Sequence, residues 1–140
     1  MKTLFLLIFL GLGGNIFVPA HAKSKPRGGQ NYYVDAQNGD DRADGKSEKT
    51  AWKSLLRTKE LQLRAGDSLL LRRNSSFNGL LEVSAEGKAG RPVVIGAYGT
   101  GRKPCIQAPD SSLYTVLVRN SDYLTLENLE VVNTGKQRMA

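Results

Sequence analysis

Between Tyr123 and Val131 the apolar side chains fall at Leu124, Leu126, Leu129 and Val131, with Thr125, Glu127 and Glu130 among them. The step from Leu126 to Leu129 is three residues, where an uninterrupted strand requires two. In a straight strand that slip would carry Leu129 and Val131 to the solvent face. One residue in the left-handed region at Asn128 turns the chain through a corner and restores the inward pattern, and Asn tolerates that conformation better than most residues. A hairpin would need a reversal of at least two residues. The spacing therefore favours two strands meeting at the corner of a β-helix.

Similar short apolar runs precede this segment from Ser68 onward, at 69–71, 80–83, 93–95, 105–106 and 116–118. The early ones recur about every 12 residues, which suits an antiparallel sandwich as well as a solenoid. Periodicity alone leaves both open. Further upstream, Tyr32-Tyr33-Val34 reads as a strand, and residues 35–45, dense in Asp, Asn and Gly, read as a loop. Ser47 or Thr50 can N-cap a short helix whose buried side is Trp52, Leu55 and Leu56. Ala65-Gly66-Asp67 then makes a turn.

Residues 1–22 have the three parts of a secretion signal: Lys2, the apolar run 4–10, and the small-x-small site Ala20-His21-Ala22. The apolar run is about half of the roughly 20 residues needed to cross a bilayer, and Gly11, Gly13, Gly14 and Asn15 interrupt it. The expectation is a secreted protein, extracellular or periplasmic, with no membrane association after cleavage. Residues 23–30 read as a flexible lead-in.

The chain carries a net charge of +7, and loss of the leader, whose only charge is Lys2, leaves it basic. That suits a polyanionic partner such as an acidic polysaccharide. Nucleic acid is not expected, because the chain is exported and no helix carries basic residues at groove-reading spacing. The single histidine, His21, lies in the leader, which removes imidazole catalysis and imidazole metal ligation from the mature chain. The single cysteine, Cys105, has no partner for an internal disulfide and reads as a small core residue.

Five segments stand in the order seen at the N-terminus of secreted, pectate-lyase-like right-handed β-helix proteins: Tyr32-Tyr33-Val34-Asp35, the loop 38–45, Ala51-Trp52-Lys53-Ser54-Leu55, residues 65–71, and residues 90–99. The chain resembles that family over nearly all of its mature length, with Ala51 where the family usually has proline. The resemblance implies an all-β fold: the first coils of a right-handed parallel β-helix spanning 31–140, closed by a short N-terminal capping helix that bears Trp52. It also implies an incomplete solenoid, with the catalytic strands expected beyond Ala140. The function implied is a polysaccharide lyase or glycoside hydrolase acting on acidic polysaccharide. The alternative is a non-catalytic, glycan-binding or adhesin-like β-helix.

No catalytic, cofactor-binding or metal-ligating residue is assigned from the sequence. The acidic loop, with Asp35, Asp40, Asp41 and Asp44, offers the hard oxygen ligands that Ca²⁺ would take. It fails the EF-hand template, because Arg42 holds a ligand position and Ala51 stands where the bidentate Glu belongs. A structural loop of Asx-turns, with Gly39 and Gly45 at positive φ, fits better. Asn74-Ser75-Ser76 matches a glycosylation sequon and carries no functional weight. Arg72 and Arg73 end a strand, either as solvated charges or facing a groove where they would bind carboxylates.

Overall fold

The computed structural model describes residues 28–135. The secretion signal expected at 1–22 lies outside the described residues, and of the lead-in expected at 23–30 only Gly28, Gly29 and Gln30 fall within them. The described strands are β1 (Asn31–Val34), β2 (Gln62–Arg64), β3 (Ser68–Arg72), β4 (Ser76–Asn78), β5 (Leu81–Glu86), β6 (Val93–Tyr98), β7 (Cys105–Gln107), β8 (Val116–Asp122), β9 (Leu124–Leu126) and β10 (Glu130–Val132). They form three sheets, ordered β1-β3-β6-β9, β2-β5-β8 and β4-β7-β10, and every pairing between them is parallel. From β2 onward the chain visits the three sheets in a fixed rotation, so every third strand lies against its predecessor. The parallel pairing rules out the antiparallel sandwich that strand spacing alone allowed. The described chain is mostly β with very little helix, in a β-helix-like arrangement.

Register aligns like with like. Leu69 stands beside Ile95, Phe77 beside Ile106 and Val83 beside Val118. Alternation turns these columns inward: β3 buries Leu69 and Leu71, and β5 buries Leu81, Val83 and Ala85. Burying each large aliphatic side chain contributes about 1.5–3 kcal/mol, so the columns between the sheets are the main source of stability.

Parallel strands ordinarily need crossovers of a dozen or more residues. Here several links are short corners, each with a residue at positive φ: Gly66 (87°) between β2 and β3, Asn74 (59°) between β3 and β4, Tyr123 (47°) between β8 and β9, and Asn128 (57°) between β9 and β10. The corner expected at Asn128 is therefore present, and it passes the chain from one sheet to another. Leu126 and Val131 keep the inward register, opposite Ile95 and Ile106. They are nevertheless 43% and 50% exposed, because among the described residues no strand stacks on the outer side of β9 or β10.

The helix expected around Trp52 takes a different form. Two 3₁₀ segments, Glu48–Thr50 and Leu55–Glu60, flank Trp52, which is itself extended and bridged in parallel to Val34. Ser47 caps the first segment through reciprocal bonds with Thr50, and Ser54 caps the second. With three residues per turn, Leu55 and Thr58 share one buried side, packed toward β5. Leu56 points away and is 70% exposed, which corrects its expected place on the buried side. Trp52 is buried as expected, stacked on Tyr32 with ring centroids 5.7 Å apart. Its indole N–H donates to the Ala43 carbonyl at 2.9 Å. Strands β2 and β4 were not foreseen, since each is three residues long with one buried side chain, Leu63 or Phe77.

Candidate functional site

The acidic loop folds back on itself, and its carboxylates accept from donors of the loop and of the neighbouring chain. Asp35 accepts from the Gln37 and Asn38 amides at 2.9 and 3.1 Å, an Asx-turn, and from the guanidinium of Arg72 on β3. Asp41 accepts from the Lys53 and Ser54 amides at 2.9 and 2.8 Å and from the Ser54 hydroxyl at 2.8 Å, which anchors the second 3₁₀ segment. Asp40 takes the Arg42 amide and guanidinium, and Asp44 the Lys46 amide. Among the described residues, no group of three or more His, Cys, Asp or Glu is arranged around a common point. Gly45 has the expected positive φ of 69°. Gly39 does not, which corrects that expectation; it is glycine because a Cβ there would stand 2.3 Å from the Trp52 carbonyl oxygen.

Burial raises the affinity of the Asp35 carboxyl for its proton, but the Arg72 guanidinium and the Gln37 and Asn38 amides outweigh it and hold Asp35 below the ordinary carboxylate value. Arg72 continues past this pair to the wall of a cleft of about 410 Å³. Gln37, Glu48, Lys49, Arg73, Asn74, Tyr98 and Thr100 also line that cleft. Tyr98 makes an edge-on contact with Tyr33 at 5.2 Å, and its buried hydroxyl has no hydrogen-bond partner. Burial, and next to it the Asp35 charge, push the Tyr98 phenol up to about 12.

Asn74 closes the corner that forms one end of this cleft. Its side-chain amide donates to the Thr100 carbonyl at 3.1 Å and accepts from the Arg102 amide at 2.9 Å, tying the β3–β4 corner to the β6–β7 link stacked on it. A Cβ on Gly101 would meet the Asn74 amide nitrogen at 2.1 Å, so only glycine fits beneath it. The sequon asparagine is thus committed to the fold. Asn74 also lines a second cleft of about 220 Å³, with Ser75, Ser76, Arg102, Lys103, Cys105 and Glu130. The Ser75 hydroxyl there is buried without a partner. Cys105 is half-buried rather than part of the core, and burial, followed by the Glu130 charge, raises its thiol away from a reactive thiolate.

Of the residues singled out in the sequence, Arg72 and Arg73 do face a groove, although Arg72 is paired with Asp35 and Arg73 donates to the Gly101 carbonyl at 3.2 Å. Lys49, Tyr98, Arg102 and Lys103 gave no signal, because they line these clefts only once the segments around 49, 72–76 and 98–105 fold against one another.

No family model matches the chain. It is 32% identical over 132 residues to a lacto-N-biosidase of Bifidobacterium longum subsp. longum, a match covering 75% of this chain and 8% of that protein. It superposes on the crystal structure of the GH136 lacto-N-biosidase from Eubacterium ramulus, native protein, with a TM-score of 0.70 at 35% identity, covering 76% of this chain and 20% of that one. The selenomethionine derivative gives 0.68 at 36%. The chain therefore spans less than a tenth of the curated relative and about a fifth of the solved one. These relatives are glycoside hydrolases that act on glycans. They correct the pectate-lyase-like resemblance, and the lyase acting on acidic polysaccharide finds no support in them. The motifs behind that resemblance, a buried Trp at the sheet edge and regularly placed turns, serve the architecture, and one architecture hosts many chemistries.

Proposed function

We propose that residues 31–140 form a single right-handed parallel β-helix domain of an exported protein of the glycoside-hydrolase type, acting on glycans that contain lacto-N-biose. The observation that carries this reading is the superposition on the Eubacterium ramulus enzyme at 35% identity over 76% of the chain. The solenoid reading is supported by the fixed rotation among three parallel sheets, and the right hand follows the strong preference of parallel crossovers. Export rests on the signal pattern at 1–22. Within such a protein, the part given to this chain is glycan contact. Hydrolysis calls for two carboxylates facing each other across the scissile bond, and Asp35 and Asp41 are instead bound to backbone amides around their own loop. That engagement also favours a second reading, a glycan-binding β-helix without catalysis.

The test combines catalysis and binding on the purified full-length chain. A chromogenic aryl lacto-N-bioside reports cleavage, and titration with lacto-N-biose followed by NMR reports contact. Binding without release supports the contact role, and release of the aryl group would make the chain catalytic by itself. Neither binding nor release would sink the reading.

A further inference from the structure

The two clefts meet at Asn74, which lines both, and together they make one groove across the stacked corners. Its walls carry five cations, Lys49, Arg72, Arg73, Arg102 and Lys103, against two acids, Glu48 and Glu130. Arg72 is neutralised by Asp35; among the described residues none of the other four cations is ion-paired. Like charges gathered in a concavity repel one another and focus a positive field outward, which favours an anionic occupant.

We propose that this groove binds an oligosaccharide bearing carboxylate or sulfate groups, with Lys49, Arg73, Arg102 and Lys103 meeting the anionic groups. The assignment rests on the glycan-active reading above and adds a location that contacts anionic substituents on such glycans, the lacto-N-biose unit itself being neutral. Arginine takes a carboxylate or sulfate through paired N–H donors, whereas lysine acts as a point charge. Gln37 and Thr100 are the polar groups placed to contact ring hydroxyls.

The experiment titrates the full-length chain with trigalacturonate, a heparin tetrasaccharide and neutral maltotriose, read by calorimetry at low and physiological salt. The expected result is binding of at least one acidic probe, weakened by salt, and no binding of maltotriose. The variant K49Q/R73Q/K103Q should bind about tenfold more weakly or not at all, while K46Q/K53Q/K59Q, with the same loss of charge outside the groove, should bind like the parent. The single variant K49E, at an exposed residue, gives the same readout if the triple variant does not fold. Equal losses in both triple variants would reduce the effect to net charge and overturn the proposal. So would equally tight binding of a single-stranded oligonucleotide of matched charge, or no acidic probe binding at all. Lacto-N-biose binding that persists alongside any of these leaves the glycan-active reading standing and removes only this groove.

Discussion

Asp35 shows how one side chain settles a stretch of this sequence. It is 2% exposed, yet its carboxylate organises the turn at 37–38 and holds Arg72 at the end of β3. Because its folded-state affinity for a proton is lowered, it contributes stability that is fully present above the unfolded value and lost as pH falls through the folded one. Asp41 behaves in the same sense: burial acts to raise it, and the Ser54 and Lys53 donors lower it further. The urea midpoint should therefore stay level from neutrality to about pH 5 and fall steeply below about pH 4, near the ordinary aspartate value. In D35N that acid-side fall should be shallower; an unchanged slope would show that Asp35 does not carry the effect. A second residue-scale case is Gly45, at φ 69° with the Trp52 ring where a Cβ would stand, 2.4 Å from Cε2. G45A combines left-handed strain of about 1–2 kcal/mol with displacement of the indole. It should lower stability by about 2 kcal/mol or more and shift the Trp52 fluorescence to the red.

At the scale of elements, the corners decide the fold, and Asn74 tests one of them. N74A loses both side-chain hydrogen bonds to the 100–102 link and keeps a β-carbon at φ 59° without the asparagine side chain that tolerates that conformation. N74G loses the same bonds but removes the β-carbon and with it the left-handed strain. The expected costs are about 2 kcal/mol for alanine and about 1 kcal/mol for glycine, measured by chemical denaturation. Equal costs would mean that the backbone is unstrained. The same physics explains what was legible beforehand. Asn128 could be read from the sequence because a three-residue step breaks an alternation on both sides of it. The long strands β3, β5 and β6 were readable because each has at least two inward apolar residues. Strands β2 and β4 show one each, Leu63 and Phe77, and become strands only through their neighbours' register. The Trp52 segment reads as helical by spacing, but Asp41 and Val34 hold it open into two 3₁₀ turns around an extended residue. The groove was the least legible feature, since Lys49, Arg73 and Lys103 line it from separate segments of the chain. The family resemblance failed for a related reason: its motifs report the corners and the edge cover, not the chemistry.

For the whole molecule, the stacking has two unlike ends. On one, Trp52 bridges Val34 and closes part of the edge of β1. On the other, β8, β9 and β10 are each paired on one side only among the described residues, and Val118, Leu126 and Val131 stand exposed at inward register. Unpaired N–H and C=O groups beside apolar side chains are a template for another strand. The interior columns would continue there without a change of register, so a second copy or any edge-compatible strand gains both hydrogen bonds and burial. The full-length chain should therefore self-associate with increasing concentration in sedimentation velocity, and the association should weaken as its apolar part is removed. Substituting Leu126 and Val131 by Thr puts a β-branched strand former at both positions while removing apolar area worth about 1–2 kcal/mol at each contact. The double variant should associate at least tenfold more weakly, since about 1.4 kcal/mol corresponds to a factor of ten. Its own unfolding midpoint should scarcely move, because both side chains are about half exposed in the parent. I106A makes the contrasting case at the matching position of the preceding strand, where the side chain is 0% exposed: a cost of about 3 kcal/mol in stability. A chain that stayed monomeric at every concentration would place the cover of this end within the chain itself.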